Sequence, residues 1–210
     1  HELTGFGGAI KNLGMGCGSR AGKMDMHAAG KPVVAQELCV GCGRCRAICA
    51  HGAPQIVQGK ARIDQTKCVG CGRCIGVCPR DAISPQYDAA NEVLNRKMAE
   101  YALAVVHGRP QFHVSLAVDV SPFCDCHAEN DVPIVPDVGF FASFDPVAID
   151  RACADAVNRQ QPVAGSLLDR AHVPGRDYFQ AVSPETDWTV CLEHAEAIGL
   201  GTQRYTLKRL

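Results

Sequence analysis

The chain has 210 residues, 47% of them hydrophobic and 20% charged, with a formal net charge of -1. This is enough apolar content for one large core or two unequal ones, and it excludes a disordered or fibrous chain. A balance so near zero gives no argument for nucleic acid or a membrane surface, and no run approaches the roughly 18 apolar residues of a membrane span. Composition leaves oligomeric state open.

Residues 1–30 contain eight glycines and show neither strand nor helix periodicity. They read as a long loop system, with Lys11, Asn12, Cys17, Arg20 and Lys23 as its polar contributors. Backbone N–H groups in such a loop can hold an anion, with Lys11 adding charge. The spacing matches neither the dinucleotide fingerprint nor the P-loop. The chain opens at His1 inside this segment rather than at a Met. A fragment is therefore expected, with an upstream domain or leader preceding it.

Residues 31–84 hold eight of the thirteen cysteines, in two similar runs. The first is Cys39, Cys42, Cys45 and Cys49; the second is Cys68, Cys71, Cys74 and Cys78, followed by Pro79. Both have the C-x2-C-x2-C-x3-C spacing of bacterial two-cluster ferredoxins, in which the fourth cysteine of each run ligates the other cluster. Cluster one is then assigned Cys39, Cys42, Cys45 and Cys78, and cluster two Cys68, Cys71, Cys74 and Cys49. Gly41, Gly43, Gly70 and Gly72 let the backbone approach the sulfurs, and Ile48, Ile56, Ile63, Ile75, Val77 and Ile83 shield the space between clusters.

Two four-cysteine zinc sites are the alternative for these eight residues, and a secreted disulfide scaffold is an alternative for the cysteines at large. Close C-x-x-C spacing suits metal thiolates better than loop-closing staples. A reducing compartment, the cytoplasm, is expected on that ground, in the absence of a charged leader before an apolar stretch. Where Cys78 is followed by Pro, Cys49 is followed by Ala50 and His51, read as a solvated loop histidine. Between Cys39 and Arg80 stand seven basic residues and one acidic, Asp64. They either compensate cluster charge or form a docking face for an acidic partner. Within the module, residues 54–64 read as a hairpin turning at Gly59-Lys60.

Past Pro85 the texture changes. Ala90, Leu94, Met98, Tyr101, Ala102 and Val105 form one stripe, predicting a helix over 87–107 that ends at Gly108. The alternation of Phe112, Val114, Leu116, Val118 and Val120 predicts a largely buried strand over 112–120. Its exit presents Cys124, Asp125, Cys126, His127 and Asp131. A short strand is expected near Ile134-Val135. Asp145-Pro146 predicts a helix start, with Ile149, Ala152, Cys153 and Ala156 at core spacing. A loop around GSLLDRAHVPGRDYF, a helix near 185–198 and a closing strand near 204–207 complete the chain. Cys17, Cys153 and Cys191 read as buried small hydrophobes, and His194 as a helix-surface histidine.

The segments HELTGFGGAIKNLGMG, VDVSPFCDCHAENDVPIVPDVGFFASFDPVAID and CLEHAEAIGLG, with the doubled cysteine run, resemble an uncharacterised family. It is the family numbered 362 among domains of unknown function, in its members with an internal 4Fe-4S ferredoxin insertion. The resemblance implies an α/β main domain with an additional N-terminal portion before His1, and it supplies no reaction or substrate. It draws attention to His1, Lys11, Asn12, Cys124, Asp125, Cys126, His127, Asp131, Asp137 and Asp145. Lys11, Cys126, His127 and Asp131 are the catalytic candidates.

The expected fold is α+β overall: an α/β main domain, residues 1–30 and 85–210, interrupted by a two-cluster ferredoxin-like module, residues 31–84. The expected function is that of an iron-sulfur redox protein passing single electrons between two [4Fe-4S] clusters and an unidentified site or partner. The partners to expect are a redox protein or a small-molecule substrate, an anion in one reading. A non-catalytic electron carrier or docking protein is one alternative, and an enzyme of other chemistry with structural clusters is another. If the main domain has a functional cleft, Lys11 or Asn12 should share a concavity with a polar side chain from 124–131.

Overall fold

A computed structural model of the chain describes residues 1, 3–27, 31–85, 90–124, 131–171 and 177–209. It is a mixed α/β protein that divides into two compact units, residues 18–94 and residues 1–17 with 95–210. Among the described residues every sheet has two antiparallel strands.

The smaller unit is built twice over. After helix α2 (Arg20–His27), strand β1 (Pro32–Val34) pairs with β4 (Ile83–Pro85), and β2 (Pro54–Val57) pairs with β3 (Lys60–Ile63). Each run of cysteines leads into a short helix, α3 (Arg44–Ile48) in the first and α4 (Arg73–Gly76) in the second. Backbone bonds repeat in step with the sequence. The N–H of Ala35 donates to the carbonyl of Ala82 at 2.8 Å, and its counterpart Asp64 donates to Ala53 at 2.9 Å. The hairpin turns at Gln58 and Gly59, both with positive φ, which is the two-residue geometry that matches strand twist. Lys60, expected in the turn, pairs with Val57 instead. Cys39, Cys45, Cys74, Ala61, Ala82 and Ile83 form the buried core. Ile56, Ile63 and Ile75 pack against it, while Ile48 is exposed.

In the larger unit the Gly-rich start departs from expectation. Ala9–Lys11 is a turn of helix (α1) that runs into a single π-turn, Asn12–Gly16. The expected loop region is helical again at α2, in the smaller unit. Local sequence could not foretell α1, because its cap lies 141 residues away in sequence: the Asp150 carboxylate accepts from the N–H of Ala9 at 2.6 Å and of Ile10 at 2.9 Å. Gly5, at φ +84, lies against Trp188, where a side chain would collide with the Trp188 Cβ. Phe6, Phe179 and Trp188 stack as a trio with centroids 5.4–5.6 Å apart, and the Arg151 guanidinium lies over the Trp188 ring.

Helix α5 (Ala90–Val106) buries Leu94, Met98 and Ala102 as the stripe requires, with Asn95 and Ala99 beside them. Strand β5 (His113–Ala117) pairs with β6 (Gly139–Ser143), Leu116 facing Phe140 and Val114 facing Ala142. Here the expected burial is overturned. Val114 and Leu116 are each 57% exposed and Phe140 75%, because β5 has only β6 beside it among the described residues. The alternation marked an apolar face but not a cover for it. No strand forms at Ile134-Val135, between two prolines; both residues are buried, and Ile134 is tied by single backbone bonds to Val120 and Val163.

Helix α6 (Pro146–Val157) begins as predicted, with Asp145 accepting from the N–H of Val147 and Ala148. The expected loop holds two short helices, α7 (Leu167–Ala171) and α8 (Tyr178–Val182), capped by Ser166 and Asp177. Helix α9 (Thr189–Ala197) falls within the predicted range. Residues 204–207 form no strand; the Tyr205 hydroxyl donates to Asp155 at 2.9 Å instead.

Candidate functional site

Two places gather chemistry-bearing side chains, one in each unit. In the smaller unit, the thiols of Cys39, Cys42 and Cys45 line one small concavity together with Cys78, which belongs to the other run. The turns that set this up need glycine: Gly41, Gly43, Gly70 and Gly72 all have φ between +66 and +76. A Cβ on Gly41 would also collide with the carbonyl of Gly59. These turns aim backbone N–H groups at sulfur. Gly41 and Ala61 donate to Cys39 Sγ at 3.5 and 3.2 Å, Gly70 to Cys68 at 3.5 Å, and Ala82 to Cys78 at 3.3 Å.

The thiol environments differ in kind. The N–H of Ala61, aided by Gly41 and Lys60, holds the Cys39 thiol below its ordinary range against the opposing effect of burial. Burial pushes Cys45 up, with Cys42 and Cys39 as neighbouring charges. It pushes Cys74 up to about 11, and there Cys68, Cys71 and Cys45 are the neighbours. Among the described residues, no three His, Cys, Asp or Glu side chains are gathered to hold a single metal ion.

In the larger unit a cavity of about 820 Å³ runs between residues 5–13 and the stretch 112–124. Lys11, Asn12 and Cys124 line it, so the condition set for a cleft is met. The Lys11 ammonium lies 3.9 Å from Cys124 Sγ, and Cys124 is 8% exposed. The backbone N–H groups expected to hold an external anion hold the chain's own: those of Ala9 and Ile10 are taken by Asp150, only 1% exposed on the cavity side of α6. Burial lifts its carboxyl to about 7 despite those two bonds. Cys153, one turn further along α6, is pushed up to about 12, first by burial and then by Asp150.

The other sequence candidates scatter. Asp131 forms an ion pair with Arg170 at 2.7 Å and does not line the cavity. Asp137 accepts from the N–H of Asp119, and Asp145 is a helix cap that also accepts from Thr202. His194 pairs with Glu100 on the surface, and His51 is exposed. Cys191 is buried as expected, whereas Cys153 is only half-buried and Cys17 is exposed, where the π-turn ends. Asp125, Cys126 and His127 lie outside the described residues. Sequence reasoning missed Asp150. Its signal was an acidic residue four positions after Pro146 and three before Cys153, on the apolar side of a helix.

A family model described as a domain of unknown function (DUF362) matches residues 1–155, more than half of the chain, and the chain belongs to that family. No curated protein matches it.

Proposed function

We propose that this DUF362 member is an iron-sulfur redox protein whose residues 31–84 form a two-cluster ferredoxin-like module. Its clusters would be held by Cys39, Cys42, Cys45 and Cys78, and by Cys68, Cys71, Cys74 and Cys49. The observation that carries the reading is the presence of Cys78 in the concavity of the first run. That crossing is what the three-plus-one spacing asks of a two-cluster module and what two separate zinc knuckles do not need. Each thiolate of a cubane binds its own iron, so the ligands need not converge on one point.

When bound, such clusters supply one-electron transfer. The chain's part is to hold and tune them. The N–H groups of Gly41, Ala61, Gly70 and Ala82 stabilise charge on sulfur, and Ile56, Ile63, Ile75 and Ile83 keep water from the space around the thiols. The seven basic residues around the runs favour a second element of the reading, docking of an acidic redox partner. No helix among the described residues is long and apolar enough to cross a membrane.

Anaerobically purified protein should contain about eight irons per chain with matching sulfide. Cys78→Ser should cost the cluster of the first run although Cys78 lies in the second. Stoichiometric zinc without sulfide sinks the reading, and loss of the second-run cluster alone sinks the crossed assignment. Substrate-dependent reoxidation of reduced protein separates an enzyme from a carrier.

A further inference from the structure

The cavity of the larger unit is within the ~300–1,000 Å³ range of small-molecule sites. Its one lysine or arginine among the described residues is Lys11. That ammonium carries three donors, and its hydrogen-bond partner is a thiol at 3.9 Å, a long contact to a weak acceptor. The stem of Lys11 lies across Gly7, whose missing side chain leaves room for it: a Cβ there would sit 3.2 Å from Lys11 Cδ. The wall's carboxylates do not meet the need. Both oxygens of Asp150 are held by Ala9 and Ile10, and Asp119 stands exposed on the turn after β5. Cys124 is nearly covered yet faces the cavity, so a molecule inside reaches its sulfur and the Lys11 ammonium together.

We propose that this cavity binds a small organic anion, its acid group taken by Lys11 and its carbon frame lying against Cys124. The inference concerns the larger unit and does not depend on the clusters. Paired alkylating agents test it on the full chain kept anaerobic. Iodoacetate carries a carboxylate and iodoacetamide does not; each forms a sulfur–carbon bond with release of iodide. The rate at Cys124 with each is read by peptide mass spectrometry, and their ratio is compared with the same ratio for free glutathione.

The ratio at Cys124 should favour iodoacetate on the order of 10-fold over the glutathione value, the effect of one close ion pair. Succinate should protect Cys124 from both agents. Lys11→Gln should bring the ratio back to the glutathione value, and Lys11→Arg should retain most of the preference. Because a ratio is read, a general change in thiol reactivity cancels. A wild-type ratio equal to that of glutathione overturns the proposal whether or not the variants fold. A preference that survives Lys11→Gln overturns it as well. Iron content and cluster reduction are untouched by this readout, so its failure is distinguishable from failure of the redox reading.

Discussion

Gly8 and Asp150 fit together only because position 8 has no side chain: a Cβ built on Gly8 would overlap the Asp150 carboxylate. The contact lets that carboxylate reach the first two N–H groups of α1 and fixes one wall of the cavity. Gly8→Ala should therefore destabilise the larger unit by about 2–3 kcal/mol, combining overpacking with a weakened buried bond. Trp188, the sole tryptophan and a core residue of that unit, makes urea unfolding readable by fluorescence. Gly16→Ala, with open space around it, should change stability by less than about 0.5 kcal/mol.

The same carboxylate gives a pH dependence of defined sign. Burial raises the folded-state value of Asp150 to about 7, while the unfolded value is about 3.9. Between these the folded state binds the extra proton, so this group's contribution to stability falls as pH rises through the window and is flat above it. The stability advantage of the wild type over Asp150→Asn should shrink between about pH 5 and pH 7 in urea titrations. An advantage that stays flat over this range would show that the folded carboxyl is ionised throughout it.

Gly41 and Gly43 share a left-handed backbone but not the same surroundings. Gly41→Ala meets the carbonyl of Gly59 as well as the conformational penalty, whereas Gly43→Ala faces open space. Gly43→Ala should cost about 1–2 kcal/mol and keep full iron. Gly41→Ala should open the first-run concavity and leave about half the iron per chain, as measured by iron and sulfide analysis.

Asp145 accepts three backbone N–H groups, from Val147 and Ala148 at the start of α6 and from Thr202 across the fold at 2.8 Å. Asp145→Ala should cost about 2–3 kcal/mol, more than a simple cap, since the bond to Thr202 goes with it. Asp145→Ser should recover the cap share only, by the same fluorescence measurement.

Asp131 is bound to Arg170 on the surface. Asp131→Ala should lower stability by less than about 1 kcal/mol and leave iron content and the Cys124 alkylation ratio unchanged. A change in that ratio would bring Asp131 into the cavity's chemistry.

Features with short-range causes were legible in the sequence. The Asp145-Pro146 start of α6, the α5 stripe and the 54–63 hairpin each rest on neighbours within a few residues. Features with distant causes were not. The start of α1 depends on Asp150, and the exposure of Val114 and Leu116 depends on what stands beside β5, which alternation does not encode. Strand β6 escaped notice because the apolar pair Ile134-Val135 drew the expected strand forward in spite of its flanking prolines, while the pairing of Leu116 with Phe140 begins at Gly139. At the candidate site, Lys11 and Cys124 were found from chemistry alone. Asp150 was not, because an acid on an apolar helix face has meaning only once α1 is placed against it.

The position of Cys78 beside Cys39, Cys42 and Cys45 also has a consequence in time. A ribosome releases the first run well before residue 78, so the first concavity lacks its fourth wall while the second run is still being made. Three clustered thiols must wait, open to oxidation or to stray metal ions, until nearly the whole module has emerged. On the proposed reading, filling of the first site would wait for the arrival of the second run, and a chain stalled between residues 50 and 67 would carry three of the four cysteines assigned to it.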